Sequence, residues 1–165
     1  MKEIKDAQKK WKVAKDAAQA QCEKSYQYEM ARKLGACQIF TGEESMEEMI
    51  RLMFSPQGAE FLTTYNFPDI ATFRKFKKYH PERFGVYIDC GEIAISDAKN
   101  VFLVGNTTAR LKYAQTQGNR LILMCGAMAH IEASGYCVLK IEKDNKSNVE
   151  VNISGHAKVC NERGR

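Results

Sequence analysis

Three groups of residues in this chain have the types and spacing for chemistry. The first is nucleophilic: six cysteines, Cys22, Cys37, Cys90, Cys125, Cys137 and Cys160, and three histidines, His80, His130 and His156. A cysteine nucleophile needs a histidine base close in space. Cys125, Cys137 or Cys160 with His130 or His156 is the only arrangement the sequence offers. Cys125 and Cys137 lie in apolar runs, where burial raises a thiol's pKa and leaves it inert. The second group is acidic. Asp89, Glu92 and Asp97 would serve as paired carboxylates in glycoside chemistry, although enzymes of that kind on stacked-strand scaffolds carry many more rungs and a long groove.

The third group is basic. Arg110, His130, Lys140 and Lys158 stand on alternate positions of strand-like runs, beside Lys112, Glu132 and Glu142. Stacked, they would form a stripe for a phosphate backbone or an acidic protein partner. The plainer reading is a solvated strand face with cross-strand ion pairs and outward lysines that block edge pairing. A further set, Arg74, Lys75, Lys77 and Lys78, is interleaved with Phe76 and Tyr79. Aromatics among cations read single-stranded nucleic acid, but Phe73 and Phe76 also fit the buried face of a short helix with a charged outer side.

Motifs narrow the chemistry further. No Gly-x-x-x-x-Gly-Lys-Ser/Thr, Gly-x-Gly-x-x-Gly or Gly-x-Ser-x-Gly segment occurs, and no Cys-x-x-Cys or zinc-type Cys/His spacing. The expectation is a protein with no catalytic constellation, no cofactor and no metal ligands.

The elements that must position these residues follow from hydrophobic period. Ile4, Ala7, Trp11, Ala14 and Ala18 step by 3 and 4, and Cys22, Tyr26, Met30 and Leu34 continue at steps of 4. This predicts one long helix over 1–34, ended by Gly35. Its alanine stripe buries little area, so the helix needs a partner surface around Trp11, in its own domain or by coiled-coil self-association. Short helices follow over 43–78. Thr41-Gly-Glu-Glu44 reads as a capping box before Met46, Met49, Ile50, Met53 and Phe54. Ser55-Pro56 starts a third helix running to about Tyr65, and Phe67-Pro68-Asp69 a fourth with Ile70, Phe73 and Phe76 inward.

After His80-Pro81 the period changes from about 3.6 to 2. Glycines at 91, 105, 126, 135 and 155 each precede a short alternating run. The predicted strands are 84–89, 92–96, 101–104, 108–113, 120–124, 127–132, 137–142 and 149–153, with a last one near 156–160. No connection leaves room for a crossover helix, and glycines recur at intervals near 20 residues, a rung length typical of solenoids. The fold class is therefore α+β: a helical region 1–83, then a β-solenoid-like region 84–165, with an irregular sandwich as the alternative.

Composition agrees with a soluble module. Of 165 residues, 44% are apolar, and 25 basic against 20 acidic side chains leave a net charge of +5, spread over both halves. No apolar run approaches the ~18 residues of a membrane span, and the start of the chain has no secretory character. The expected location is the cytoplasm, with the thiols reduced. The segment Phe54-Ser-Pro-Gln-Gly-Ala-Glu-Phe61, then Asn66-Phe-Pro68, then the Gly-x-Ala rungs, resembles short uncharacterised bacterial proteins of gut Bacteroidales and their mobile elements, over most of residues 43–160. That resemblance implies a small intracellular accessory protein, phage- or transposon-borne, and carries no known activity or functional residues. The function expected is a non-catalytic structural or protein-interaction module that contacts a protein partner or itself through helix 1–34 and the outward strand face. The alternative is a nucleic-acid-binding accessory protein, and a small hydrolase comes third.

Overall fold

A computed structural model describes residues 2–24, 43–55 and 69–163. The chain divides into two compact units, Met1–Pro68 and Asp69–Arg165. The sequence places the change of character at His80-Pro81. The structure places the division earlier, because the helix after Asp69 is bonded to the strands that follow it.

In the first unit, helix α1 spans Lys2–Lys24. Ala7 and Trp11, four positions apart, are buried, as the helical spacing requires. Trp11 is only 4% exposed, so it is a core residue and not the contact surface expected of it. The rest of the expected helix, with Tyr26, Met30, Leu34 and Gly35, lies outside the described residues. Helix α2 spans Met46–Met53. Its capping box is Ser45 with Glu48; Thr41, the cap expected from the sequence, lies outside the described residues. The Glu48 N–H donates to the Ser45 hydroxyl at 3.2 Å, and the Ser45 N–H donates to the Glu48 carboxylate at 2.9 Å. The two Ser/Thr-x-x-Glu candidates follow one another directly in sequence, and the one immediately ahead of the apolar run caps it. The hydrogen bond from Ser45 holds the Glu48 carboxyl below its ordinary pKa. Met49, Ile50 and Met53 are buried, so the methionine stripe is core. The side-chain amide of Gln8 on α1 donates to the Glu44 carbonyl at 2.9 Å. The helix expected from Ser55-Pro56 lies outside the described residues.

In the second unit, helix α3 spans Ile70–Phe76, with the Asp69 carboxylate accepting from the Thr72 N–H at 2.7 Å. Phe73 and Phe76 are buried on one face. Two 3-10 turns follow, Lys77–Tyr79 and Pro81–Phe84. Then come nine strands: β1 Val86–Ile88, β2 Gly91–Ser96, β3 Asn100–Val104, β4 Thr107–Tyr113, β5 Gly118–Met124, β6 Met128–Ala133, β7 Val138–Lys143, β8 Asn148–Ile153 and β9 Lys158–Arg163. Each agrees with an expected strand to within three residues.

Odd strands form one parallel sheet, β1-β3-β5-β7-β9, called sheet A below. Even strands form a second parallel sheet, β2-β4-β6-β8, called sheet B. Parallel neighbours always need a long crossover. Here the crossover is the strand in the opposite sheet, so the chain coils as a two-sided β-solenoid of about four turns. The sandwich alternative is thereby ruled out, since every strand pair is parallel. From the second turn on, each residue pairs with the one 20 positions later: Phe102 with Ile122, Ile122 with Glu142, Ala109 with Ala129, Ala129 with Val149. The first turn is shorter, pairing Val86 with Phe102 and Ile93 with Ala109.

The narrow interior is built from columns of like residues. Ala109 and Ala129 form one column and Leu111 and Ile131 the next, facing Val101, Leu121 and Ile141 from sheet A. Small residues in one column leave room for branched ones opposite, which is how two sheets interdigitate. Tyr113 is also buried here, and burial pushes its phenol above the ordinary pKa. The outward positions of sheet A are buried as well at Val86, Ile88, Phe102, Val104, Ile122 and Met124. The outward positions of sheet B are mostly polar and none is buried.

The corners are fixed by aspartates. Asp89, Asp97 and Asp144 each follow a strand. Asp89 accepts from the Asn106 N–H at 2.8 Å, Asp97 from the Ala114 and Gln115 N–H groups at 2.7 and 3.0 Å, and Asp144 from the Cys125 N–H at 2.7 Å. Each carboxylate thus satisfies amides of an adjacent rung, where the chain turns and leaves the ladder. Asp89 and Asp97, considered above as carboxylates for glycoside chemistry, thus hold the corners of the coil.

Candidate interaction surface

The open face of sheet B arises from strict alternation. With Ile93, Ala109, Leu111, Ala129 and Ile131 turned inward, their neighbours must point out. The ladder places them in two rows, Ala94–Arg110–His130–Glu150 and Ser96–Lys112–Glu132–Asn152. Lys112 stands directly beside Glu132, and His130 Nδ1 lies 2.9 Å from Glu150 Oε2. Between the rows is a shallow concavity of about 270 Å³ lined by Ala94, Ser96, Arg110, His130 and Glu132 among others. The face is mixed in sign.

The expected basic stripe is divided by the coil. Arg110 and His130 are cross-strand neighbours on sheet B. Lys140 on β7 and Lys158 on β9 are on sheet A, as is Glu142. Alternation gives the correct outward phase for all of them, but consecutive strands go to opposite sheets. On sheet A, Lys140 Nζ lies 3.0 Å from Glu142, which also receives Arg120.

The second basic set is partly engaged. Arg74 Nε donates to Asp89 at 2.6 Å, and Lys77 Nζ donates to the Asp89 carbonyl at 3.1 Å. Lys78 stands over the Tyr79 ring at 5.2 Å, and Lys75 is half-buried. Arg74 and Lys77 thus tie α3 and its following turn to the first corner of the solenoid, which consumes part of the charge expected to read nucleic acid. The Arg74 guanidinium, helped by the Asn106 N–H, holds the Asp89 carboxyl below the ordinary Asp range.

A depressed carboxyl pKa contributes stability above its unfolded value, about 3.9, and loses it as pH falls through the folded value. Asp89→Asn keeps an oxygen for Asn106 but gives up the charge facing an exposed Arg74. It should cost about 1 kcal/mol at pH 7, once solvent screening of Arg74 is allowed for. The gap between the wild type and this variant should close below about pH 4, in the window set by that depressed pKa. Urea midpoints at pH 7, 5 and 3 measure it; a gap that persists undiminished at pH 3 would refute the charge-based account.

Among the described thiols, Cys90 and Cys160 are exposed. Cys137 is buried, and burial pushes the half-buried Cys125 thiol up to about 11. Among the described residues no group of three or more His, Cys, Asp or Glu is placed to hold a metal ion. Among the same residues no helix is long and apolar enough to cross a membrane. Sequence reasoning missed Arg120 and the corner role of the aspartates. The available signal was an Asp directly after a strand, repeated at three corners. Comparison of the chain with protein-family models, with curated proteins and with solved structures gave no match.

Proposed function

We propose that this chain is a non-catalytic structural or protein-interaction module, an accessory protein whose contact surface is the open face of sheet B. The observation that carries the reading is the pair of rows Ala94–Arg110–His130–Glu150 and Ser96–Lys112–Glu132–Asn152, held in register by parallel ladders. Stacked rungs present such faces without the mobility of loops, which suits protein recognition. Interspersed Glu132 and Glu150 favour a protein partner of mixed charge over a phosphate backbone, which calls for one sign.

The test is lysine-reactive cross-linking in a gentle low-salt lysate, with the linked peptides mapped by mass spectrometry and absorbance recorded at 260 and 280 nm. Cross-links from Lys112 to a protein chain support the module. Material that carries excess 260 nm absorbance, released steeply as salt rises, with Lys112 not linked to protein, overturns it in favour of a nucleic-acid binder.

A further inference from the structure

Strand β2 is an edge of sheet B; among the described residues it pairs only with β4. Its backbone phase is known. The Gly91 N–H donates to the Asn106 carbonyl and the Asp97 N–H to the Lys112 carbonyl, both on the β4 side. In a parallel ladder the direction alternates, so Ile93 and Ile95 also face β4, while Glu92, Ala94 and Ser96 aim their N–H and C=O groups away from the sheet. These three residues are exposed. The inward side chains of the same strand are incompletely covered. Ile93 and Ile95 are partly buried, whereas their column partners Ala109, Leu111, Ala129 and Ile131 are at most 2% exposed.

Edge strands are normally blunted by lysine, proline, a bulge or an inward charge. β2, with the sequence Gly-Glu-Ile-Ala-Ile-Ser, has none of these and a single outward charge, Glu92. At the far edges, β9 of sheet A carries Lys158 outward and Asn161 in the inward column of Ile141, and β8 of sheet B, also without lysine or proline, turns Asn148, Glu150 and Asn152 outward where β2 has the small Ala94 and Ser96.

We propose that β2 is the docking edge for a second copy of this chain, paired antiparallel about a two-fold axis through Ala94. The proposal rests on the module reading above and names its partner. Three features select this register. Ala94 meets Ala94 and Glu92 meets Ser96, so every outward-aimed N–H and C=O of one copy meets one of the other. Ile93 then falls opposite Ile95, closing the half-open ends of both cores. Charge also fits. Glu92 of one copy stands opposite the small Ser96 of the other, and the next residue in that row is Lys112. Glu92 and Lys112 would be about 10 Å apart at the backbone, a gap their two long side chains span. Within one chain, no ion pair is made by Glu92, Arg110 or Lys112 among the described residues. In the pair, Glu92 gains Lys112, and no like charges face each other across the axis.

The experiment is size-exclusion chromatography with light scattering on the full chain over a concentration series. The wild type should run at twice the 18.7 kDa chain mass. Ala94→Lys changes an exposed side chain and sets lysine against lysine on the axis. It should leave the circular dichroism unchanged and weaken the dimer about 100-fold or more. Glu92→Lys should also weaken it, and Glu92→Lys with Lys112→Glu should restore it. A wild type that stays monomeric at all concentrations overturns the proposal. So does a dimer that ignores Ala94→Lys, or open-ended growth beyond two chains. A monomer whose Lys112 still cross-links to a different protein sinks the second-copy partner while the module reading stands. Salt-sensitive co-elution with nucleic acid sinks the module reading itself.

Discussion

Replacing Glu142 with alanine is expected to destabilise the solenoid by about 3 kcal/mol or more, although Glu142 lies on the outward side of sheet A. Its side chain is 8% exposed and that of Arg120 16%. Both carboxylate oxygens accept from Arg120 Nη2, at 2.9 and 2.8 Å. In the ladder Glu142 continues the column Phe102–Ile122, two buried apolar side chains. The ion pair therefore sits at the end of an apolar patch, and Arg120 Nε has no hydrogen-bond partner there. Truncating Glu142 strands a guanidinium that water cannot fully reach, whereas Lys140, nearly half exposed, turns to solvent. Replacing both partners, Arg120→Met with Glu142→Met, removes the buried charge altogether and should recover most of the loss. Urea unfolding of the two single variants and the double variant completes the cycle. A Glu142→Ala loss below about 1 kcal/mol would show that the pair behaves as a solvated surface bridge.

The contrast between this pair and the expected stripe shows what the chain discloses and what it withholds. Period-2 alternation and near-20-residue glycine spacing disclose the rungs, their strand bounds and the inward or outward phase of every position. They are silent on which sheet a strand enters. A two-sided coil keeps the phase while sending successive strands to opposite faces, so Arg110 and Lys140 share a phase without sharing a surface. Burial is similarly ambiguous. Glu142 reads as a solvated charge because its neighbours in sequence, Lys140 and Lys143, are charged; its neighbours in space are Ile122 and Arg120, 20 and 22 positions away. Trp11 shows the converse. Helical spacing marks the apolar face of α1 but not whether its cover is supplied within the chain. The corner role of the aspartates is not legible in sequence, because a carboxylate after a strand serves equally as an acid or as an acceptor for orphaned amides.

Gly105 has a φ of 68°, but backbone conformation alone does not explain the glycine. The equivalent residues one turn before and after are Asp89 and Cys125, with φ of 46° and 59°. Both are ordinary L-residues tolerating the same left-handed corner. Space distinguishes Gly105: a Cβ there would run into the Asp89 carboxylate and lie 2.8 Å from Ile70 Cδ1 on α3. Gly105→Ala must therefore displace Asp89 from the Asn106 N–H and from Arg74, on top of the left-handed strain. The expected loss is about 3 kcal/mol or more. Gly126, with φ of 89° and nothing within 4 Å of its would-be Cβ, is the control. Gly126→Ala should cost only the strain, about 1 kcal/mol. Thermal or urea unfolding of the two variants compares them, and equal losses would sink the steric account. The double variant Gly105→Ala with Asp89→Ala adds a second check. If the added methyl acts by evicting the carboxylate, the two changes must be strongly sub-additive, because the second removes a contact the first has already broken.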